Sequence, residues 1–101
     1  MNKPNVSEIG KYINLALWSD VEPIGKIIGI NGSKYVVQRI KAARQTKELK
    51  WEVGGFAGHC VNQNEQEWEF ELGEQIEEIR ILKKSRMYIA NHPHKHYDYN
   101  F

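Results

Sequence analysis

Apolar and polar residues alternate along much of this chain, and that alternation predicts strands. Between Gln66 and Leu72, Trp68, Phe70 and Leu72 fall on one side and Glu67, Glu69 and Glu71 on the other, the period-two pattern of a half-buried strand. Residues 23–30 and 33–40 are rich in β-branched side chains and are separated by Asn31-Gly32. That dipeptide between two such runs predicts a type I′ hairpin. Gly25 and Gly29 within the first run mark a bulge or a close backbone approach. Gly73-Glu74 is expected to turn the chain into a partner strand over 76–82, with Ile79 and Ile81 inward and Arg80 towards the glutamate row. Residues 51–53 and 87–90 read as short strands. His92-Pro93 breaks the second of them. Tyr97, Tyr99 and Phe101 alternate as a closing strand.

Two segments follow another pattern. Ile9, Tyr12, Ile13, Ala16 and Leu17 fall at helical spacing behind Ser7, which predicts a short helix over 8–17 with Gly10 inside it. Residues 41–50 carry Ala42, Ala43, Arg44 and Gln45 but too few apolar positions for a buried helix, so they read as a loop with one helical turn. The domain division expected is an N-terminal extension, 1–17, and a single β-rich domain, 18–101. About six short strands with tight turns make the chain mainly β: a small antiparallel β-barrel or strongly bent sheet, SH3-like or of another small-barrel kind, with one short N-terminal helix. The aromatics Trp51, Trp68, Phe70, Tyr97 and Tyr99 are expected to fill its interior.

Composition narrows the functional classes. At 101 residues, with 27% charged and 41% hydrophobic side chains, the chain has the make-up of one globular domain. Its formal net charge of +1 argues against strong non-specific nucleic-acid binding, which needs a pronounced basic surface. One cysteine excludes an intramolecular disulfide and fits a reducing compartment. No apolar run is long enough to span a bilayer, and residues 1–7 lack the apolar region of a signal peptide. A cytoplasmic protein is therefore expected, with no membrane partner.

Candidate chemistry gathers at Gly54-Gly55-Phe56-Ala57-Gly58-His59-Cys60-Val61-Asn62-Gln63-Asn64. Glycines let a backbone turn sharply or approach a ligand, and histidine, cysteine and amides supply donors, acceptors and a nucleophile. The ligand-binding set expected is Gly54, Gly55, Phe56, His59, Cys60, Asn62 and Gln63. Arg39, Arg44 and Lys50 would add charge, and Trp51 or Tyr99 a stacking face. A small barrel offers limited concavity, so a second copy of the chain is expected to complete the site. Each feature also has a plainer reading. Adjacent His59 and Cys60 point apart in an extended chain, which favours a small buried thiol over a nucleophile. The lysines and arginines of 34–50 also fit a solvated loop. His92, His94 and His96 share one face if extended and could bind a metal with Cys60, but Pro93 bends the segment. The glutamate row reads as solvent-facing, with no sign of a carboxylate of raised pKa. No cofactor and no catalytic residue is expected.

The chain resembles a family of short uncharacterised bacteriophage and prophage proteins. The matching pieces are Trp18-Ser19-Asp20 with Pro23, Gly54-Gly55-Phe56-Ala57-Gly58-His59-Cys60 with Asn62-Gln63, Gln66 with Trp68, and Tyr97-Asp98-Tyr99-Asn100-Phe101. The resemblance spans roughly 18–101 and implies a role inside an infected host cell. It carries no known activity. Three functions are therefore weighed. The first is a non-enzymatic binding protein for a small anionic ligand, a nucleotide-type signal sequestered from host defence, or for nucleic acid. The second is a protein-binding inhibitor of a host or CRISPR-type defence enzyme, with Glu67, Glu69 and Glu71 mimicking phosphates. The third is a small enzyme using Cys60 or a histidine-bound metal.

Overall fold

A computed structural model describes residues 3–54, 57–60 and 62–97, without the side chains of 53, 54 and 57–59. The protein is mainly β. Five antiparallel strands, β1 (Tyr12–Leu17), β2 (Asp20–Asn31), β3 (Lys34–Gln45), β6 (Trp68–Ile79) and β7 (Met87–Ala90), form one sheet in the order β6-β3-β2-β1-β7. A separate two-stranded sheet joins β4 (Trp51–Gly54) to β5 (Ala57–Cys60). Short 3₁₀ turns at Val6–Glu8 and Gln63–Glu65 complete the described elements. The five-stranded sheet is open, with β6 and β7 at its edges. Register breaks at Ile13/Asn14, Ile27/Gly29, Gln38/Ile40 and Ile40/Ala42 bulge it, and bulges bend strands and increase their twist. The bent-sheet expectation therefore holds.

The helix expected over 8–17 does not form. Gly10 has φ +96°, outside the right-handed helical region, and ends the 3₁₀ turn. Residues 12–17 become a strand flanked by β2 and β7. Residues 12–17, the end of the expected extension, thus lie inside the main sheet. The 3₁₀ turn is fixed by a capping box, in which Asn5 Oδ1 accepts from the Ser7 amide and Glu8 Oε1 from the Asn5 amide.

The 22–40 hairpin forms, with a different turn. Asn31 pairs with Lys34, so Gly32-Ser33 is the loop. Gly32 alone of the two has positive φ, +63°, whereas a type I′ turn needs both central residues there. Gly29 follows the β2 bulge, and Gly25 lies where β3 passes closest. Residues 41–45, expected as a loop, continue β3 because β6 offers them a partner: Ala42, Ala43 and Arg44 pair with Glu71, Phe70 and Glu69. Gly73-Glu74 does not turn the chain. β6 runs through it as one strand, and the extra residues are absorbed where the partner of Gln38 is Ile76 and that of Ile40 is Leu72. The Gln38 side-chain amide donates to the Gly73 carbonyl at 2.8 Å and pins that bulge.

The core is aliphatic: Ile13, Ile24, Ile27, Val37 and Ile79 are buried around Tyr35. Leu15, Ile30, Ile81, Met87 and Ile89 pack against them. The aromatics expected inside are not there. Trp51 and Tyr97 are exposed, Trp68 and Phe70 half-buried, and Tyr99 lies outside the described residues. Trp18, in the tight β1–β2 turn with φ 41°, is 88% exposed. The Arg86 guanidinium stacks 4.6 Å from its ring centre.

Candidate functional site

The glycine-rich segment is a hairpin rather than a loop. Trp51 pairs with Cys60, Glu52 with His59, Val53 with Gly58 and Gly54 with Ala57. Gly55 and Phe56 lie outside the described residues. The base of this hairpin is tied down by Asn62, which is 5% exposed. Its Oδ1 accepts from the Lys50 amide at 2.7 Å and from Cys60 Sγ at 3.6 Å, and its Nδ2 donates to the Glu48 carbonyl at 2.8 Å. Each bond meets a group that would otherwise be buried without a partner or left to water. Cys60 is 2% exposed. Asn62 and Cys60 thus anchor the hairpin structurally, and a buried thiol is poorly placed as a nucleophile.

The charged candidates divide. Arg39 and Arg44 project from β3 towards β6. Arg39 is ion-paired to Glu77 at 2.8 Å, and Arg44 lies 4.0 Å from Glu69. Arg39 is therefore committed to the main sheet. Arg44 is the more exposed, its side chain 76% accessible, and with Lys47, Lys50 and Trp51 it makes an exposed run leading into β4. Gln63 opens the 3₁₀ turn after the hairpin, and Tyr99 lies outside the described residues. Of the glutamate row, Glu69 is the member that faces Arg44; further along β6, Glu77 pairs with Arg39 and Glu78 accepts from Asn31 Nδ2 at 2.7 Å.

The histidine segment works through its backbone. Asn14, fully buried, donates to the His92 carbonyl at 3.2 Å and accepts from the His94 amide at 2.8 Å. His94 Nδ1 lies 2.8 Å from the Tyr88 hydroxyl, and His96 forms a two-way bridge with Val21. Burial pushes the Tyr88 phenol up. Among the described residues no three histidine, cysteine or acidic groups are arranged to hold a metal.

Two clusters escaped the sequence reading. In the first, the Gln66 side chain imitates a strand partner: it donates to the Tyr97 carbonyl at 2.6 Å and accepts from the Tyr97 amide at 3.0 Å. Trp68 Nε1 donates to Gln66 Oε1 at 3.1 Å. Lys95 lies 2.8 Å from Glu22 and 5.0 Å above the Trp68 ring. The strap over 92–97 thereby joins the starts of β2 and β6. No hydrophobic periodicity marks these side-chain bonds in the sequence.

The second cluster is Tyr35 with Glu8. Tyr35 donates to Glu8 Oε1 at 2.8 Å. Burial, then this bond and the carboxylate charge, push its phenol up to about 12 from the ordinary 10.0. Between those values the unfolded chain gives up a proton that the folded chain keeps, so stability falls as pH rises through that window. An alkaline absorbance titration is expected to show one tyrosine ionising last, together with unfolding. Glu8→Gln should bring that step to lower pH. A titration identical in the two proteins would remove Glu8 from the account.

No helix among the described residues is long and apolar enough to cross a membrane. No protein-family model, curated protein or solved structure matches the chain.

Proposed function

We propose that this chain is a non-enzymatic binding protein of phage type, and that its β4–β5 hairpin receives a nucleotide-type signal or a nucleic-acid segment. The observation that supports this reading is the exposed run Arg44, Lys47, Lys50 and Trp51 at the foot of a hairpin that stands apart from the main sheet. Cations there would meet phosphate, and the indole would stack on a base, a contact worth about 1–3 kcal/mol. The Asn62 anchor fixes the backbone from which Lys50 and Trp51 project, so little ordering would be needed on binding. Such a protein would act against host defence by sequestering the signal, with a second copy supplying the facing wall of the site. The phosphate-mimicking inhibitor on Glu67, Glu69 and Glu71 is the second reading; of those three only Glu69 faces a cation among the described residues, Arg44 at 4.0 Å.

The test is fluorescence anisotropy with labelled cyclic dinucleotides and short single-stranded oligonucleotides at two salt concentrations. Binding should weaken with salt. Trp51→Ala should lower affinity roughly tenfold, the lower part of that stacking range, and Lys47→Glu with Lys50→Glu should abolish it. Absence of binding by the unaltered protein, or a Trp51→Ala variant that binds equally well, would overturn the proposal.

A further inference from the structure

A concavity lies beside the main core, away from the β4–β5 hairpin residues. It has a volume of about 420 Å³, is open to solvent, and is lined by Glu8, Tyr35, Leu82, Lys83, Tyr88 and Ile89 among others, a size typical of small-molecule pockets. Its floor is the core itself, since Tyr35 is 5% exposed and Ile81, Met87 and Ile89 pack against the core cluster. Leu82 at its wall and Ile9 beside Glu8 are both exposed. The polar group at this floor is an acceptor. Glu8 Oε1 takes the Tyr35 hydroxyl and the Asn5 amide, while Oε2 accepts no hydrogen bond among the described residues. Ser85 is occupied, with its amide and hydroxyl both donating to the Leu82 carbonyl. Lys83 is exposed.

We infer that this pocket binds a small apolar molecule carrying a primary ammonium group, which Glu8 Oε2 receives while the hydrocarbon body lies against Leu82, Met87 and Ile89. Charge-assisted N–H···O⁻ bonds are about twice as strong as neutral ones. Burying the body removes the apolar walls from water. An anionic head at Oε2 would meet the Glu8 carboxylate. Lys83 also lines the pocket but is exposed, where water and salt screen its charge, so this site favours a cation where the proposed hairpin site favours an anion.

The experiment is a titration of the isotope-labelled protein with phenethylamine, phenethyl alcohol and phenylacetate, followed by amide NMR. Phenethylamine is expected to shift the resonances of Glu8, Ser85, Met87 and Ile89 and to bind at least tenfold more tightly than the alcohol. Phenylacetate should not bind. Glu8→Gln, which retains an acceptor for Tyr35, should erase the preference for the amine, while Trp51→Ala should leave it intact. Equal binding of all three probes, no binding at millimolar concentration, or shifts confined to other residues would overturn the inference. None of these outcomes bears on the hairpin, whose own test uses different probes.

Discussion

Gly25→Ala is expected to lower the melting temperature by roughly 10–20 °C, the equivalent of about 3 kcal/mol in a domain of this size. Gly25 lies in β2, paired with Ile13 on one side and Arg39 on the other. A Cβ at this position would press on the Gln38 carbonyl oxygen and stand 2.5 Å from Val37 Cγ1. Neither neighbour can yield cheaply. Val37 is fully buried in the core, and Gln38 is pinned to the Gly73 carbonyl beside the register break that bends β3 against β6. Relief would require moving β3 away from β2, which opens the packing of Ile24, Ile27 and Val37. Gly29→Ala is the matched control. Its Cβ would lie 3.7 Å from Val36 Cβ, an ordinary contact, so its melting temperature should change little. Thermal unfolding followed by circular dichroism decides the matter. Equal losses in the two variants would mean that strand glycines matter here through backbone freedom and not through close approach.

That contrast also shows what the residues themselves disclosed. β-branched runs around Asn31-Gly32 and the Trp68/Phe70/Leu72 alternation predicted β2, β3 and the start of β6, because period-two burial is a local property. The remainder depended on distant partners. Ala42, Ala43 and Arg44 favour helix alone, yet they extend β3 because Glu71, Phe70 and Glu69 are present to pair with them. Ile9, Tyr12, Ile13, Ala16 and Leu17 suit a helix equally well, but Gly10 interrupts it and the space between β2 and β7 takes residues 12–17 as a strand. At the candidate site, the glycine-rich stretch was visible by composition and Trp51 by its neighbours. The role of Asn62 was not, since it holds the backbone of Glu48 and Lys50 and no side-chain pattern records such a bond. Arg39 looked available until β6 brought Glu77 to it.

Asn14→Ala is expected to destabilise the protein by about 2–3 kcal/mol, because truncating one buried partner leaves others without a bond. Asn14 is the polar side chain buried most completely in the main sheet. It sits at the β1 register break, opposite Pro23 on β2 and Tyr88 on β7. Its amide closes a ring with the His92 carbonyl and the His94 amide, and so holds the chain that has just left β7. Losing it frees the strap whose later residues bridge Val21 and meet Gln66. Protease cleavage within 92–97 should therefore accelerate before global unfolding does. Asn14→Asp separates the two bonds. The acceptor for His94 survives, but at neutral pH a carboxylate oxygen would face the His92 carbonyl. A protonated acid restores a donor there, and burial raises the folded-state pKa of such a group. Its penalty is therefore smallest at acidic pH and grows as pH rises through the ordinary carboxyl range. Comparing the two variants by chemical denaturation at acid and neutral pH tests this: recovery of Asn14→Asp alone on acidification is the expected result, and parallel behaviour would show that packing, not the paired hydrogen bonds, is what Asn14 supplies.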